Sequence, residues 1–541
     1  MTPKVKSLSS IDAIINTLLE NRGIKTKKEK EEFLNPDIKK ITAKNTGINL
    51  KELEKAVSRI KLAIKNKEQI VVFGDYDADG LCASAILWEA LDKAGAKALP
   101  YIPDRVKEGY GLSEKAIENL IAKIPDPKLI ITVDNGIVSL KTVDFIRKKG
   151  IDVIITDHHL PGKKLPKAIA IVHTTKLSGA GVAYFLAREI EKNKKDAHLE
   201  LVAIATVADL VPLNFTNRIL VKFGLEALRN TRRVGLLELI NEAGVELSKI
   251  RTYDIGHVIA PRLNAMGRIG NAMDSLRLLC TRDKKRAQSL AQKLSLTNKE
   301  RQELTEEAML SAISKVKNSK LGNKKLLFIA DESYQQGIIG LVAGKLVEEF
   351  YRPSIVISKG KKFSKASARS VIGFNIIEFI RSASEFLTAV GGHPMAAGFT
   401  VETANLPRLK KKLEELAEKL IDDKKLIRKQ RIDCEIPLNL ATDKLFEKIK
   451  LLEPFGMGNL LPVFSSKGVI NNRRLVGKDG KHLKLVLESQ KKDVFIDGIG
   501  FGMGDKCENL DIGKNVNIYY TVDENEWNGN KKLQLKIRSI V

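Results

Sequence analysis

The stretch Val71-Val72-Phe73-Gly74-Asp75-Tyr76-Asp77-Ala78-Asp79-Gly80 decides how the chain is read, because an apolar run stops at a glycine and three carboxylates follow in five residues. The run predicts a buried strand over 69–73. The same order recurs twice: a strand expected over 129–133 runs into Asp134, Asn135 and Gly136, and one over 153–156 runs into Asp157, His158 and His159. A fourth apolar run covers 168–172, and amphipathic segments at 81–93, 113–122, 140–149 and 199–207 alternate with these strands. That alternation is the pattern of a parallel sheet with crossover helices. In open α/β sheets ligands bind beyond the carboxyl ends of the strands. Three strands therefore deliver carboxylates and imidazoles to one rim.

So many acids in a poorly solvated cleft repel one another unless cations neutralise them. Carboxylates joined by imidazoles, without thiolates, suit manganese better than calcium or a structural zinc. A calcium loop also alternates acids, but the preceding strand and the missing distal Glu argue against one here. Two cations are expected, with Asp134 placed to bridge them and to position a water against a phosphate ester. A lone Asp after a strand is more often a cap or turn residue, and a lone His-His pair is usually incidental. Recurrence on three strands is what favours the metal site.

At 541 residues the chain should divide into three or four units. Lys and Arg number 92 against 66 Asp and Glu, a formal charge of +26, which favours a polyanionic partner unless the proteome is simply Lys-rich. Cys82, Cys280, Cys434 and Cys507 are too scattered for a zinc knuckle or a disulfide framework. No signal peptide and no run of ~20 apolar residues is visible, so a cytoplasmic location is expected. The expected divisions are an N-terminal helical segment (1–45), a catalytic α/β domain (46–270), a helical linker free of Gly and Pro (271–320), a second α/β domain (321–428) and a terminal β-barrel (429–541). In the second domain a strand begins after Lys325, a helix spans 338–350, a strand 354–357, and a charged helix 406–429.

The segments VVFGDYDADG (71–80), ITVDNG (131–136), ITDHH (155–159) and VADLVPL (207–213) resemble, in order, the four motifs of the DHH phosphoesterase superfamily. By that resemblance Asp77 and Asp134, with Asp75 nearby, hold one metal, while Asp79, Asp134, His158 and Asp209 hold the other. Asp134, His158 and His159 are then the catalytic residues, with His159 facing the substrate phosphate. Asp209 is assigned by the resemblance alone. NRGIKTKKEKEEFLNP (21–36), IPDRVKEGYG (102–111), PRLNAMGRIG (261–270), SARSVIGFN (367–375), GGHPMAAGF (391–399) and PFGMGN (454–459) are similar to further blocks of the RecJ branch, so the likeness spans nearly the whole chain.

The resemblance implies a DHH-type parallel-sheet catalytic domain, a long helical linker, a second α/β DHH-associated domain and a C-terminal oligonucleotide-binding β-barrel. The implied activity is removal of 5′-mononucleotides from the 5′ end of single-stranded DNA, in repair and recombination, with two manganese ions or, alternatively, magnesium. A helicase and a single-strand-binding protein are the implied partners of a monomeric enzyme. Arg105, Arg262, Arg268 and Arg369 are the expected strand-gripping residues, since a guanidinium fork matches phosphate oxygens; Ser367 and Ser370 add hydroxyls beside Arg369. Gly391 and Gly392 are expected to form an anion nest, with His393 as a donor. Tyr519, Tyr520 and Trp527 are candidate base stackers in the barrel, although core packing is the commoner fate of such residues. Two departures stand out: His173 occupies a position of open role, and Gln335 replaces the usual His of the second domain. The rival readings are a DHH phosphodiesterase for short oligoribonucleotides or cyclic dinucleotides, and a non-catalytic DNA-binding relative.

Overall fold

The computed structural model describes residues 6–541 except 106, 110, 192–196, 319–323 and 528; the side chain of Trp527, one of the three candidate stackers, also lies outside the described residues. The first sheet comprises β1 (Ile70–Phe73), β2 (Ala98–Tyr101), β3 (Leu129–Val133), β4 (Asp152–Asp157) and β5 (Ala170–His173). Their spatial order is β2-β1-β3-β4-β5, and every pairing is parallel. Every residue of β1 and β3 is buried, which is why these strands read as continuous apolar runs rather than alternations. One face is covered by helices Ala78–Lys93, Gly179–Glu191 and Leu199–Ala208, the other by Glu114–Lys123 and Leu140–Lys148. The strand order reverses between β1 and β3, so the crevice of this sheet opens where Asp75, Asp77 and Asp134 stand.

The expected linker consists of helix Ala272–Cys280 and a 35-residue helix, Lys284–Asn318. It is a strut rather than a tether. Its early turns bury Ala287, Ala291 and Leu294 in the first domain's core, and its late turns bury Ala308, Ala312 and Val316 in the second's.

The second sheet comprises β6 (Leu327–Asp331), β7 (Ser354–Ser358), β8 (Phe363–Arg369), β9 (Leu387–His393) and β10 (Ala396–Glu402), ordered β6-β7-β8-β10-β9. Only β6 and β7 are parallel. Helix Leu406–Leu420 stops short of the expected 429, because Ile421 and Leu426 fold back into the core of this domain.

After a short β11 (Cys434–Glu435), strands β12 (Phe464–Val476), β13 (His482–Ser489), β14 (Phe495–Gly500), β15 (Asn515–Trp527) and β16 (Asn530–Ile540) form the last sheet. A β12–β15 pairing closes it into a five-stranded barrel. The N-terminal segment does not stand apart from it. Helices Ile11–Glu20 and Lys27–Leu34 and the turn between them place Ile14, Leu18, Ile24 and Phe33 in one core with Phe464, Leu485 and Ile518, and Ser7 bridges to Glu435.

The PFGMGN block is the seam between this unit and the fourth motif. Leu213 N donates to Met457 O at 2.6 Å. Gly458 has φ +75°, and a Cβ there would lie 3.0 Å from Pro212 Cβ. Asn459 donates to the carbonyls of Leu452 and Pro454 at 2.8 and 2.9 Å and accepts from Arg22 Nε at 2.6 Å. Arg218, fully buried, donates to the carbonyls of Phe33, Leu451 and Glu453 at 2.6, 3.0 and 2.6 Å. Among the described residues no helix is long and apolar enough to cross a membrane.

Candidate active site

Backbone amides hold four of the carboxylates at the crevice, those of Asp75, Asp77, Asp79 and Asp157. Asp77 caps helix Ala78–Lys93, accepting from the amides of Asp79 and Gly80 at 3.1 and 3.0 Å. Asp79 accepts from the Gly179 and Ala180 amides at 2.7 and 2.6 Å, at the amino end of helix Gly179–Glu191. Asp134 follows β3 with φ +63°, a left-handed conformation uncommon for a residue with a side chain. A Cβ on Gly179 would lie 2.5 Å from Asp134 Oδ1, so glycine is required there by close approach. Asp157 accepts from the amides of Ile137, His158 and His159 and bonds His159 Nδ1 at 2.7 Å. His173 Nε2 donates to His159 O at 2.7 Å, so this residue of open role steadies the backbone that carries the histidines.

These side chains converge. Donor atoms of Asp75, Asp77 and Asp134 lie within 4.8 Å of one another, as do those of Asp79, His158 and Asp209, and those of Asp134, His158 and His159. His158 Nε2 lies 3.1 Å from Asp134 Oδ1, 3.6 Å from Asp209 Oδ2 and 3.8 Å from Asp79 Oδ2. Asp75 Oδ2 and Asp134 Oδ1 are buried without a hydrogen-bond partner. Buried acceptors are rarely left so. Oxygen donors with one or two imidazoles fit a divalent cation of the manganese or magnesium kind.

The electrostatics agree with that fit. Burial, then the charge of Asp77, pushes Asp75 up to about 8. Burial, followed by Asp79 and Asp77, does the same to Asp209, also to about 8. Asp79 and Asp134 are raised as well, by burial first and then by their acidic neighbours. His159 behaves oppositely: burial works against its charge, but its bond to Asp157 and that carboxylate's charge carry it up to about 9.

A second cluster is cationic. Arg268 Nη1 donates to Gly337 O at 3.1 Å, and Arg105 lies 5.1 Å over the Tyr76 ring. Arg369 donates to Ser367 Oγ at 3.3 Å and Ala368 O at 2.9 Å. Burial and then Arg105, Arg301 and Arg369 bring Arg268 down to about 10. Arg301, on the long helix, was not singled out from the sequence; its Nη2 donates to Asn298 Oδ1 at 2.9 Å and its buried Nε has no partner. Among the described residues no carboxylate lies within ion-pair distance of these four arginines. Arg105, Arg268 and Tyr76 border a cavity of about 980 Å³ that Gln335 and Gly337 line from the second domain.

The remaining candidates are distributed unevenly. Arg262 braces the long helix, bonding Ser295 Oγ at 3.2 Å and Val258 O at 2.8 Å. The Ser370 hydroxyl is spent on Phe374 O at 2.6 Å. Gly391 and Gly392 lie in extended β9 opposite Gly398 and Ala397, so the expected nest of consecutive amides does not form. His393, at the end of β9, reaches the first domain's site: its ring stacks 6.2 Å from that of His159 at 12°. Its proton affinity is lowered by burial and then by His159 and His158. Tyr520 is a core residue, its hydroxyl 2.8 Å from Ser466 Oγ, whereas Tyr519 is half-buried.

Residues 69–206 match the DHH family, N-terminal domain; residues 322–419 match the DHHA1 domain; residues 432–539 match the RecJ OB domain. The chain is 37% identical to the single-stranded-DNA-specific exonuclease RecJ of Bacillus subtilis (strain 168), over 99% of this chain and 69% of that protein. The crystal structure of RecJ in complex with Mn2+ from Thermus thermophilus is similar at TM-score 0.83 and 28% identity, covering 100% of this chain and 80% of that one. The Mg2+ complex from the same source gives TM-score 0.77 at 27% identity, covering 99% and 78%. A DHH sheet with its acids at the switch point, a DHHA1 domain closing over them and an OB barrel locked to the fourth motif are parts of one inheritance, and the chain belongs to the RecJ family of the DHH superfamily.

Proposed function

We infer that this protein is a metal-dependent exonuclease that removes 5′-mononucleotides from the 5′ end of single-stranded DNA. The observation that carries the reading is the neighbourhood, among the described residues, of an acidic cluster with no lysine or arginine within ion-pair distance and an arginine cluster with no carboxylate within that distance. The first suits divalent ions; the second suits a phosphate. A strand whose terminal phosphate rests among Arg105, Arg268 and Arg369, with the Ser367 hydroxyl beside them, can bring a neighbouring phosphodiester to the carboxylates. Cutting is then confined to the chain end, and because each release of a 5′-mononucleotide leaves a new 5′-phosphate on the remaining strand, a grip on the terminal phosphate accords with 5′ polarity.

Asp75, Asp77 and Asp134 would hold one ion, and Asp79, His158 and Asp209, with Asp134 shared, the other; manganese is preferred and magnesium is the alternative. Bound there, the ions supply Lewis acidity at the scissile phosphate and acidify the attacking water. Protonated His159 donates to a phosphate oxygen, and Asp157 fixes its ring and its charge. His393, exposed at the end of β9 with its ring against that of His159, is placed to donate to a substrate phosphate from the second domain. In this reading the enzyme works as a cytoplasmic monomer in DNA repair and recombination, supplied with strands by a helicase or a single-strand-binding protein.

The test is manganese-dependent hydrolysis of single-stranded DNA labelled at either end, by wild type, Asp134→Ala and Asp209→Ala. Wild type should release a 5′-labelled mononucleotide at the earliest times while a 3′ label stays on long product, and both variants should fall to background. Equal activity of the three proteins, or early release of the 3′ label, overturns the reading.

A further inference from the structure

Segments Thr252–Asp254, Ile255–Ile259 and Ala260–Ile269 form one helical run whose middle part is a π-turn. Such insertions are rare and occur often at functional sites. The carboxyl half of this run serves the site already described: Asn264 Oδ1 accepts from the Ala78 amide at 2.7 Å, and Arg268 belongs to the arginine cluster. The amino half carries something that has no use so far. Tyr253 is 65% exposed, and its ring stacks on that of His257 with centroids 4.2 Å apart and planes 15° apart. His257 Nδ1 donates to Tyr253 O at 3.1 Å, which holds the lower ring in place.

The pair stands between the barrel and the acids. Thr252 Oγ1 donates to Phe455 O, in the seam block, at 2.7 Å. A Cβ on Gly256 would lie 3.7 Å from Val207 Cγ1, on the helix that ends at Asp209. The flanking segments expose two further apolar side chains, Leu210 at 64% and Met457 at 48%, and the Leu213–Met457 backbone bond joins those segments. Lys249, close in sequence, is engaged by Glu246 and Glu526 at 3.1 and 3.4 Å. Arg251, two residues before Tyr253, is exposed and has no ion pair among the described residues, so the surface offers flat and apolar faces beside one positive charge.

We propose that Tyr253, backed by His257, stacks a nucleobase of the single-stranded substrate where the strand passes from the barrel toward the acids. The proposal rests on the exonuclease reading and adds a contact to it. At ~1.5 Å per residue the helical run sets Tyr253 roughly 20 Å from Arg268, so terminal phosphate and stacked base are gripped at opposite ends of one element. Stacking accepts every base, since each has a π-face. It also rejects a duplex, whose bases already stack on one another.

The test uses full-length protein and strands carrying 2-aminopurine at successive positions from the 5′ end, their terminal linkages protected as phosphorothioates. Binding to wild type should quench the probe most strongly at one position several nucleotides from the end. Tyr253→Ala should abolish that maximum and Tyr253→Phe should restore it. With cleavable DNA in manganese, KM for wild type should fall as substrates lengthen past that position. In Tyr253→Ala the fall should be absent, leaving KM for long strands roughly ten-fold higher or more, while kcat changes little. Because stacking releases no counter-ions, the difference should persist between low and high salt. Hydrolysis by Tyr253→Ala with wild-type length dependence and wild-type quenching overturns the proposal. Failure of wild type to hydrolyse any strand instead overturns the exonuclease reading.

Discussion

A methyl group at position 179 would sit 2.5 Å from Asp134 Oδ1, well inside contact distance, and both the helix start and the left-handed Asp134 are too constrained to yield freely. Gly179→Ala is expected to lower kcat at least ten-fold while costing about 1–3 kcal/mol of stability, read by steady-state kinetics beside thermal melting. The acids also predict a proton count. Asp75 and Asp209, each pushed up to about 8, hold protons at pH 7 when metal is absent. Manganese must displace them. Calorimetry at pH 7 in buffers of differing ionisation enthalpy should therefore detect proton release that shrinks above pH 8, with affinity rising over the same interval. Folding without metal should respond in the opposite sense. A carboxyl raised from about 4 when unfolded to about 8 when folded binds more protons in the native state, so metal-free stability should fall as pH climbs between those values. A melting temperature that rises over that interval would refute the assignment. Asp75, Asp77, Asp79, Asp134 and Asp157 were legible because they follow or end strands, whereas Asp209 caps the end of a helix and was assigned by the resemblance alone. Arg301 was not: in a helix dense with charge, one arginine looks like its neighbours until the fold turns it inward.

The 35-residue helix Lys284–Asn318 shows how an element can hold two sites in register, since it is embedded in both domain cores and presents Arg301 between them. Thr305, buried one turn beyond, donates through Oγ1 to Arg301 O at 2.7 Å. Proline at 305 removes the backbone bond to that carbonyl and kinks the helix, at about 3 kcal/mol. Thr305→Pro should weaken discrimination between 5′-phosphate and 5′-hydroxyl ends several-fold, measured as a ratio of KM values, while both domains remain folded. Unchanged discrimination would show that the helix does not align the arginines. Local pattern revealed this helix through its lack of Gly and Pro, but it concealed helix Gly179–Glu191, whose two glycines resemble a loop until the amides they expose are seen to hold Asp79. It also concealed β2, an edge strand in which Pro100 interrupts the apolar run.

For the molecule as a whole, Arg218 fastens three parts of the chain, reaching from the first domain to carbonyls of the N-terminal helices and of the segment before the barrel. Arg218→Met leaves those buried acceptors without a donor and should destabilise the protein by about 3 kcal/mol or more, visible as an early melting step; a melt identical to wild type would refute the fastening role. No local reading exposes such a contact, because its partners lie far apart in sequence and none has a distinctive residue type. For the same reason helices Ile11–Glu20 and Lys27–Leu34 read as an independent segment, although their apolar faces complete the barrel. The meeting of helices Ile11–Glu20 and Lys27–Leu34 with the barrel in one core bears on how the protein is made. About 400 residues separate Phe33 from Cys434. At ~5–20 residues per second a ribosome needs roughly 20–80 s to span them. For that interval Ile14, Leu18, Ile24 and Phe33 wait in the nascent polypeptide without their partner surface, and translation speed becomes part of what keeps this polypeptide from aggregating.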